Sequence, residues 1–308
     1  MHCSSTQCLF LLLASCCILR GDTLDSARRL LDAGAPEAAL ALLMSVEASH
    51  QDSPVWRRMV SEAHYRLGHI EQTLEHLQKA IRLVPGNEQY YLDLGQVLSE
   101  SNARTAVVAV LEAARTILPA SLRIRSALAV AYLKVRDFEK ARNMFLDLLE
   151  GTPDDESLLS LLAECYDISG DWESAASIAA RLRTRNAQNS AGWYYGAKAE
   201  YELRRQQGES LETALEHARR ALQLGPDDWR SHLLFGKLLA ETSQDEQAVA
   251  AFQKAIALNQ ENPNAYYLLA RALQRLGRDK ESSEAFQAYR QAKAAQAGSH
   301  RRLLVEVR

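Results

Sequence analysis

An all-α chain built from a repeated two-helix unit is what this sequence predicts, and three observations carry the prediction. The 308 residues are 47 % hydrophobic and 24 % charged, with only 14 glycines and 7 prolines. Alanine and leucine abound and β-branched runs are scarce, which is helix composition. Small residues then recur about every 34 positions along nearly the whole chain. Finally, Pro54, Pro85, Pro119, Pro153, Pro226 and Pro263 all fall at the edges of that period.

Units of 34 can be started at Arg20, Pro54, Glu88, Leu122, Glu156, Ser190, Trp229 and Pro263. The eighth position is then Ala27, Ser61, Gly95, Ala129, Ala163, Ala197, Gly236 and Ala270, small in every unit. The twentieth is Ala39, Thr73, Val107, Ala141, Ala175, Ala214, Ala248 and Ser282. The twenty-fourth is bulky, as in Leu43, Leu77, Phe145 and Phe252, with Ala179 and Ala218 as exceptions. The sixth unit keeps phase only with a five-residue insertion around Arg204–Glu209.

Each unit reads as two amphipathic helices with apolar residues at helical period. A small residue at position 8 lets the neighbouring helix approach, and bulky residues at positions 4, 7, 11 and 24 fill the remaining space. Gly34, Gly68, Gly170 and Gly277, near position 15, end the first helix and turn the chain. Proline near position 32 stops the second helix, and Asp154, Asp155, Asp227 and Asp228 suit the start of the next. In the last unit, NPNAYYLLARALQRLGR, this places Tyr266, Leu269, Ala270 and Leu273 inward and Gly277 at the end.

The ends read differently. Cys3, Cys8, Cys16 and Cys17 crowd the first seventeen residues, and Cys165 alone remains in the repeats, where it reads as a small buried hydrophobe. The apolar run from Cys8 to Leu19 is too short to span a bilayer but suits a signal-peptide core over residues 1–19. Leu13, Ala14, Ser15 and Cys16 resemble a bacterial lipobox, which would make Cys16 the acylated first residue of an envelope protein. Against that, only His2 stands before the apolar core where Lys or Arg is normal. The alternative is an uncleaved apolar cap on a cytoplasmic adaptor. At the other end the last helix is expected to break at Gly298, leaving 297–308 as a tail.

The 34-residue, two-helix pattern resembles the tetratricopeptide repeat (TPR), over about eight units spanning 20–296. That resemblance implies a right-handed α-solenoid, a superhelix whose first helices line a concave groove, and a protein-binding role. In this family ligand contacts usually come from positions 2, 5, 9 and 12 or 13 of the first helix. Units three to five put Glu100, Glu164 and Asp167 there, an acidic or neutral wall. Units six to eight offer Tyr194, Lys198, Tyr201, Arg230, Lys237, Tyr267, Arg271 and Arg275, aromatic surface combined with cations. Such a surface suits an extended peptide with acidic groups. Chaperone-binding relatives instead clamp a terminal carboxylate with Lys, Arg and Asn. The corresponding positions here are Arg58, Glu62, Asp93, Arg123 and Ala127, and two carboxylates among them speak against that activity.

Chemistry is not expected. The sequence holds no P-loop, no paired-glycine dinucleotide turn and no HExxH. His64, His69 and His76 share one unit but lack the i, i+4 placement of a helical ligand pair, so neither a metal nor another cofactor is assigned. The net charge of −3, with acids and bases interspersed, offers no basic stripe for nucleic acid. The resulting reading is a non-enzymatic scaffold that binds a protein or peptide in its groove, on the extracytoplasmic side. Contact with a membrane is expected only through the Cys16 anchor, and the oligomeric state is left open.

Overall fold

The computed structural model describes residues 23–306, and those residues form helices and turns only. The leader at 1–19 and Cys16 lie outside the described residues. Helix α1 covers 23–32, followed by α2 (Pro36–Met44) and a single turn, α3 (Glu47–His50). Then come the pairs α4 (Pro54–Arg66) and α5 (Ile70–Leu83), α6 (Glu88–Glu100) and α7 (Arg104–Ile117), and α8 (Leu122–Lys134) and α9 (Phe138–Gly151). They continue as α10 (Glu156–Ser169) and α11 (Trp172–Arg185), α12 (Ser190–Gln207) and α13 (Glu212–Leu224), and α14 (Trp229–Glu241) and α15 (Asp245–Leu258). The last pair is α16 (Pro263–Arg275) and α17 (Asp279–Glu306). Within each of the two compact units described below, consecutive helices pack as neighbours, the arrangement of an α-solenoid.

Every first helix from α4 onward begins on the residue that opens its 34-residue unit, and one mechanism sets this phase. The preceding residue is always a short polar one: Ser53, Asn87, Ser121, Asp155, Asn189, Asp228 or Asn262. Its side chain accepts a hydrogen bond from a backbone N–H of the first turn, satisfying a donor that the helix leaves unpaired. Most second helices lack such a cap, so their positions depend on packing.

The turn inside each pair needs a left-handed residue. Gly34, Gly68, Gly170, Gly208 and Gly277 supply it with φ between +67° and +80°, while Asn102, Arg136 and Ser243 do so without glycine. In the sixth unit the insertion lengthens the first helix: α12 has 18 residues where α10 has 14, and Gly208 closes it. Helix α17 is continuous through Gly298 to Glu306, where the sequence reading placed a break.

The helices fall into two compact units, one ending at Val135 and the other starting at Arg136. In the first, Ala27, Leu31, Ala39, Leu43, Trp56 and Val60 form a fully buried cluster, and the Trp56 indole N–H donates to Leu43 O at 2.9 Å. In the second, the small residues act as the sequence reading expects. Gly236 faces the Phe252 ring so closely that an added Cβ would stand 2.5 Å from it. Gly192, which the sequence reading did not single out, also lets α12 approach α11, since a Cβ there would come within 2.9 Å of the Leu182 Cβ. Cys165 is buried, and burial raises its thiol pKa, so it is a packing residue.

Candidate functional site

In the second unit, the first helices α10, α12 and α14 line one pocket of about 330 Å³, closed at one edge by Asn262 and Asn264. Tyr194, Lys198, Arg230 and Lys237 all line it. So do Glu164 and Asp167 from α10, two of the three acids of the expected acidic wall; Glu100 instead lines a recess between α6, α7 and α8, where it accepts from the Tyr65 hydroxyl.

Local chemistry fixes each group. Lys198 Nζ donates to Asp167 Oδ2 at 2.5 Å. Asp167 is only 7 % exposed and its Oδ1 has no hydrogen-bond partner. Burial pushes this carboxyl above the usual range while Lys198 holds it down. The Arg230 Nε donates to Asp228 Oδ1 at 3.0 Å, and its guanidinium lies 5.3 Å from the Tyr194 ring centre. Burial works against the Arg230 charge, but Asp228 and the two neighbouring tyrosines outweigh it. Lys237 is half-buried and has neither a hydrogen bond nor an ion pair within the described residues. Burial, then repulsion from Lys198, lowers its pKa.

The tyrosines are less available than their spacing suggests. Tyr194 and Tyr195 are 8 % and 5 % exposed and pack edge to face. With Tyr201 they belong to a core cluster that also holds Ala179 and Ala218, the two small residues at position 24. The Tyr201 hydroxyl lies between Arg205 and Glu241, away from the pocket. Arg275 is paired with Asp245 at 2.5 Å. Tyr267 is exposed beside Phe286 and Tyr289, and Arg271 touches its hydroxyl at 3.4 Å but has no carboxylate partner.

A second recess, about 550 Å³, lies in the first unit between α6, α7 and α8. Leu92, Gly95, Val107, Leu111, Ala127 and Val130 give it an apolar lining, rimmed by Arg104 and Lys134. The sequence reading missed it, although Gly95 facing Val107 and Leu111 is its signal. The clamp positions are occupied internally: Arg58 binds Asp93 at 2.6 Å, and Glu62 is held by Arg28 and Arg66, each at 2.7 Å.

The three histidines do meet. His64 Nδ1 lies 3.2 Å from His69 Nδ1, and the His64 and His76 rings are 5.8 Å apart. Burial, followed by Arg57 and His64, pushes His76 down to about 4, so it is neutral. Among the described residues no group of three or more His, Cys, Asp or Glu is placed to hold a metal. No described helix is long and apolar enough to cross a membrane.

Tetratricopeptide repeat profiles match residues 98–165, 202–256 and 263–293, and a TPR repeat profile matches 236–277. The chain belongs to the tetratricopeptide repeat family. No curated protein matches this TPR chain. Among solved structures it is similar to a tetratricopeptide repeat protein from Parabacteroides merdae, with TM-score 0.66, 13 % identity, and coverage of 82 % of this chain and 98 % of that one. It is also similar to the C-terminal part of a TPR repeat-containing protein from Cytophaga hutchinsonii, with TM-score 0.57, 14 % identity, and coverage of 80 % and 99 %. A third likeness is to a chain of the APC/C hetero-tetramer Cut9–Hcn1, again with TM-score 0.57 and 14 % identity, covering 80 % of this chain and 48 % of that one. At these identities the likeness speaks for the fold. The repeats are those of a protein–protein interaction scaffold.

Proposed function

We propose that this TPR protein is a non-catalytic scaffold that docks an extended segment of a partner protein across the first-helix face of α10, α12, α14 and α16. The observation that carries the reading is the four-helix pocket, which holds an unpaired, half-buried Lys237. A half-buried cation without a counter-group has lost part of its hydration and gains from a ligand that supplies an opposite charge. Arg271, one repeat further on and without a carboxylate partner, takes an acidic side chain of the same segment. Lys198, Arg230 and Arg275 are already neutralised inside the chain, so the preference for acid is narrower than the sequence suggests.

Cross-linked co-purification from native cells identifies the partner. Lys237→Glu combined with Arg271→Glu should then weaken its binding at least about tenfold, with helix content and melting unchanged. Unchanged affinity would remove this face from the binding surface. Truncating Tyr194 is a poor test, because it is a core residue and its loss would weaken fold and binding together.

We also propose that the scaffold works outside the cytoplasm, anchored through Cys16. The support is the apolar run at Cys8–Leu19 and the lipobox-like Leu13–Cys16. Intact mass of the protein from its native cells decides between the readings. A chain beginning at Cys16 with added acyl mass is expected, and an unmodified Met1 in the soluble fraction would make it a cytoplasmic adaptor.

A further inference from the structure

The recess of the first unit, between α6, α7 and α8, is built unlike the close glycine contacts of the second. Gly95 is buried and lines it, yet a Cβ there would meet nothing nearer than 3.8 Å, so packing does not require glycine. At Gly192 and Gly236, by contrast, a Cβ would come within 2.9 Å and 2.5 Å of a neighbour. Ala127 and Ala131 on α8 are small as well, and about 550 Å³ of space remains beside Leu92, Leu111 and Val130. Protein interiors normally close such gaps, and this one has the volume of a small-molecule site rather than of a slot for one side chain.

The lining narrows the ligand. Among the described residues it holds no aromatic ring, so a planar ligand finds no stacking face, while its aliphatic branches suit a hydrocarbon chain. Two exposed cations, Arg104 and Lys134, stand at the rim, and neither has a carboxylate partner among the described residues. Arg104 Nε donates to Asn102 Oδ1 at 2.9 Å, and its Nη1 reaches Lys134 O at 3.3 Å, which sets the two residues side by side. Lys134 Nζ donates only to the neutral Ser99 hydroxyl, at 3.3 Å. Glu100, the acid on the same rim, already accepts from the Tyr65 hydroxyl and from Gln96 Nε2. The rim is therefore net positive beside an apolar interior.

We infer that this recess binds a medium-chain aliphatic acid. The chain lies against Leu92, Leu111 and Val130, and the carboxylate meets Arg104 and Lys134. The arginine fork takes a carboxylate through two parallel bonds, and the lysine adds a point charge. The docking face of the second unit shares no residue with this site, so the two readings stand or fall separately.

Calorimetric titration of the purified full chain with decanoate, kept below the concentration at which it aggregates, tests this. Saturable binding at one site is expected. Octanoate should bind about tenfold more weakly, the loss from two buried methylenes. Decan-1-ol and decyltrimethylammonium should also bind about tenfold more weakly or worse, since neither brings the charge that the rim accepts. Gly95→Ala should melt no lower than the wild type, because its Cβ has room and alanine favours the helix. It should nevertheless bind decanoate several-fold more weakly, because its methyl group takes ligand space. Arg104→Glu combined with Lys134→Glu, both on exposed side chains, should abolish the preference for the acid over the alcohol. Absence of saturable decanoate binding would overturn the inference, as would equal or tighter binding of the alcohol or the cation. So would an affinity that Gly95→Ala and the charge-reversed pair both leave unchanged. If Gly95→Ala lowers melting and binding together, the head-group series and the charge-reversed pair decide.

Discussion

Gly236→Ala is expected to destabilise the second unit by about 1–3 kcal/mol, the usual cost of overpacking a close-packed core. On helix propensity alone the same change should stabilise by about 1 kcal/mol, because alanine is the better helix former. Packing wins because the obstacle is rigid. The new Cβ would stand 2.5 Å and 2.7 Å from two carbons of the Phe252 ring, and Phe252 is 1 % exposed. The ring cannot swing to solvent, so α14 and α15 must separate. Their shared core includes Leu239, Ala248 and Phe252, and it continues to Ala270 and Leu273.

The rescue is contained in the repeat itself. Where position 24 is leucine, position 8 has room for a β-carbon: Ala27 and Leu43 share one buried cluster, and a Cβ on Gly95 would stand an ordinary 3.8 Å from Leu111. Phe252→Leu should therefore recover part of the loss in the Gly236→Ala background while being destabilising alone. Hydrogen exchange is the apt readout, since a repeat array loses stability locally before it melts globally. Protection should fall in α14 and α15 first. Unchanged or increased protection after Gly236→Ala would show that the helices yield without cost.

The same code explains how much was legible in the sequence. Small residues at positions 8 and 20 can be read directly because steric exclusion acts on one residue at a time. The helix starts are legible too, since a cap such as Asn262 or Asp155 is a local interaction. The α-solenoid of TPR units follows from those two features and from the turn glycines. The continuation of α17 past Gly298 was not legible, because glycine lowers helix propensity without forbidding the helix.

The site was legible only in part, and compensation between distant positions is the reason. Ala179 and Ala218 looked like exceptions at position 24, and Tyr194 and Tyr201 looked like ligand-facing aromatics. In the core these are one arrangement, large residues from α12 among small ones from α11 and α13. No single helix reveals this. Similarly, a list of cations does not say which are neutralised. Arg275 and Lys198 meet Asp245 and Asp167 from sequence distances of 30 and 31 residues, roughly one repeat away. A repeat array brings such residues together regularly, and so hides charges that composition counts as free.

Gly196 carries this compensation furthest, and its substitution should change sign with its partner. Position 7 is bulky in most units, as with Val60, Leu94, Leu128, Leu162 and Leu269, yet the sixth unit has glycine there. The space is taken by a guanidinium from α11. A Cβ on Gly196 would lie 1.9 Å from Arg183 Nη1 and 3.1 Å from its Cζ. Arg183 uses that room to donate from Nη1 to Gly192 O at 3.0 Å and to stack 5.4 Å from the Trp193 ring centre. Burial lowers the Arg183 pKa and the Glu200 carboxylate opposes it. Beside them Glu200 Oε2 and His217 Nδ1 lie 3.2 Å apart without hydrogen-bond geometry.

An arginine tip is flexible, so Gly196→Ala does not jam the helices as Gly236→Ala does; it expels Arg183. The expected loss is about 1–3 kcal/mol, from the broken bond between a charged donor and Gly192 O and the lost stacking on Trp193. With Arg183→Met already in place there is no guanidinium to expel. Gly196→Ala should then become neutral or stabilising by up to about 1 kcal/mol, the helix-propensity gain alone. The double-mutant cycle thus predicts a coupling of about 1–3 kcal/mol between residues thirteen apart in sequence. Equal effects of Gly196→Ala in both backgrounds would mean that the glycine serves only the close approach of α12 to α11, which Gly192 already provides. A change of sign would show that the repeat tolerates a missing core side chain because a charged one from the neighbouring helix fills its place.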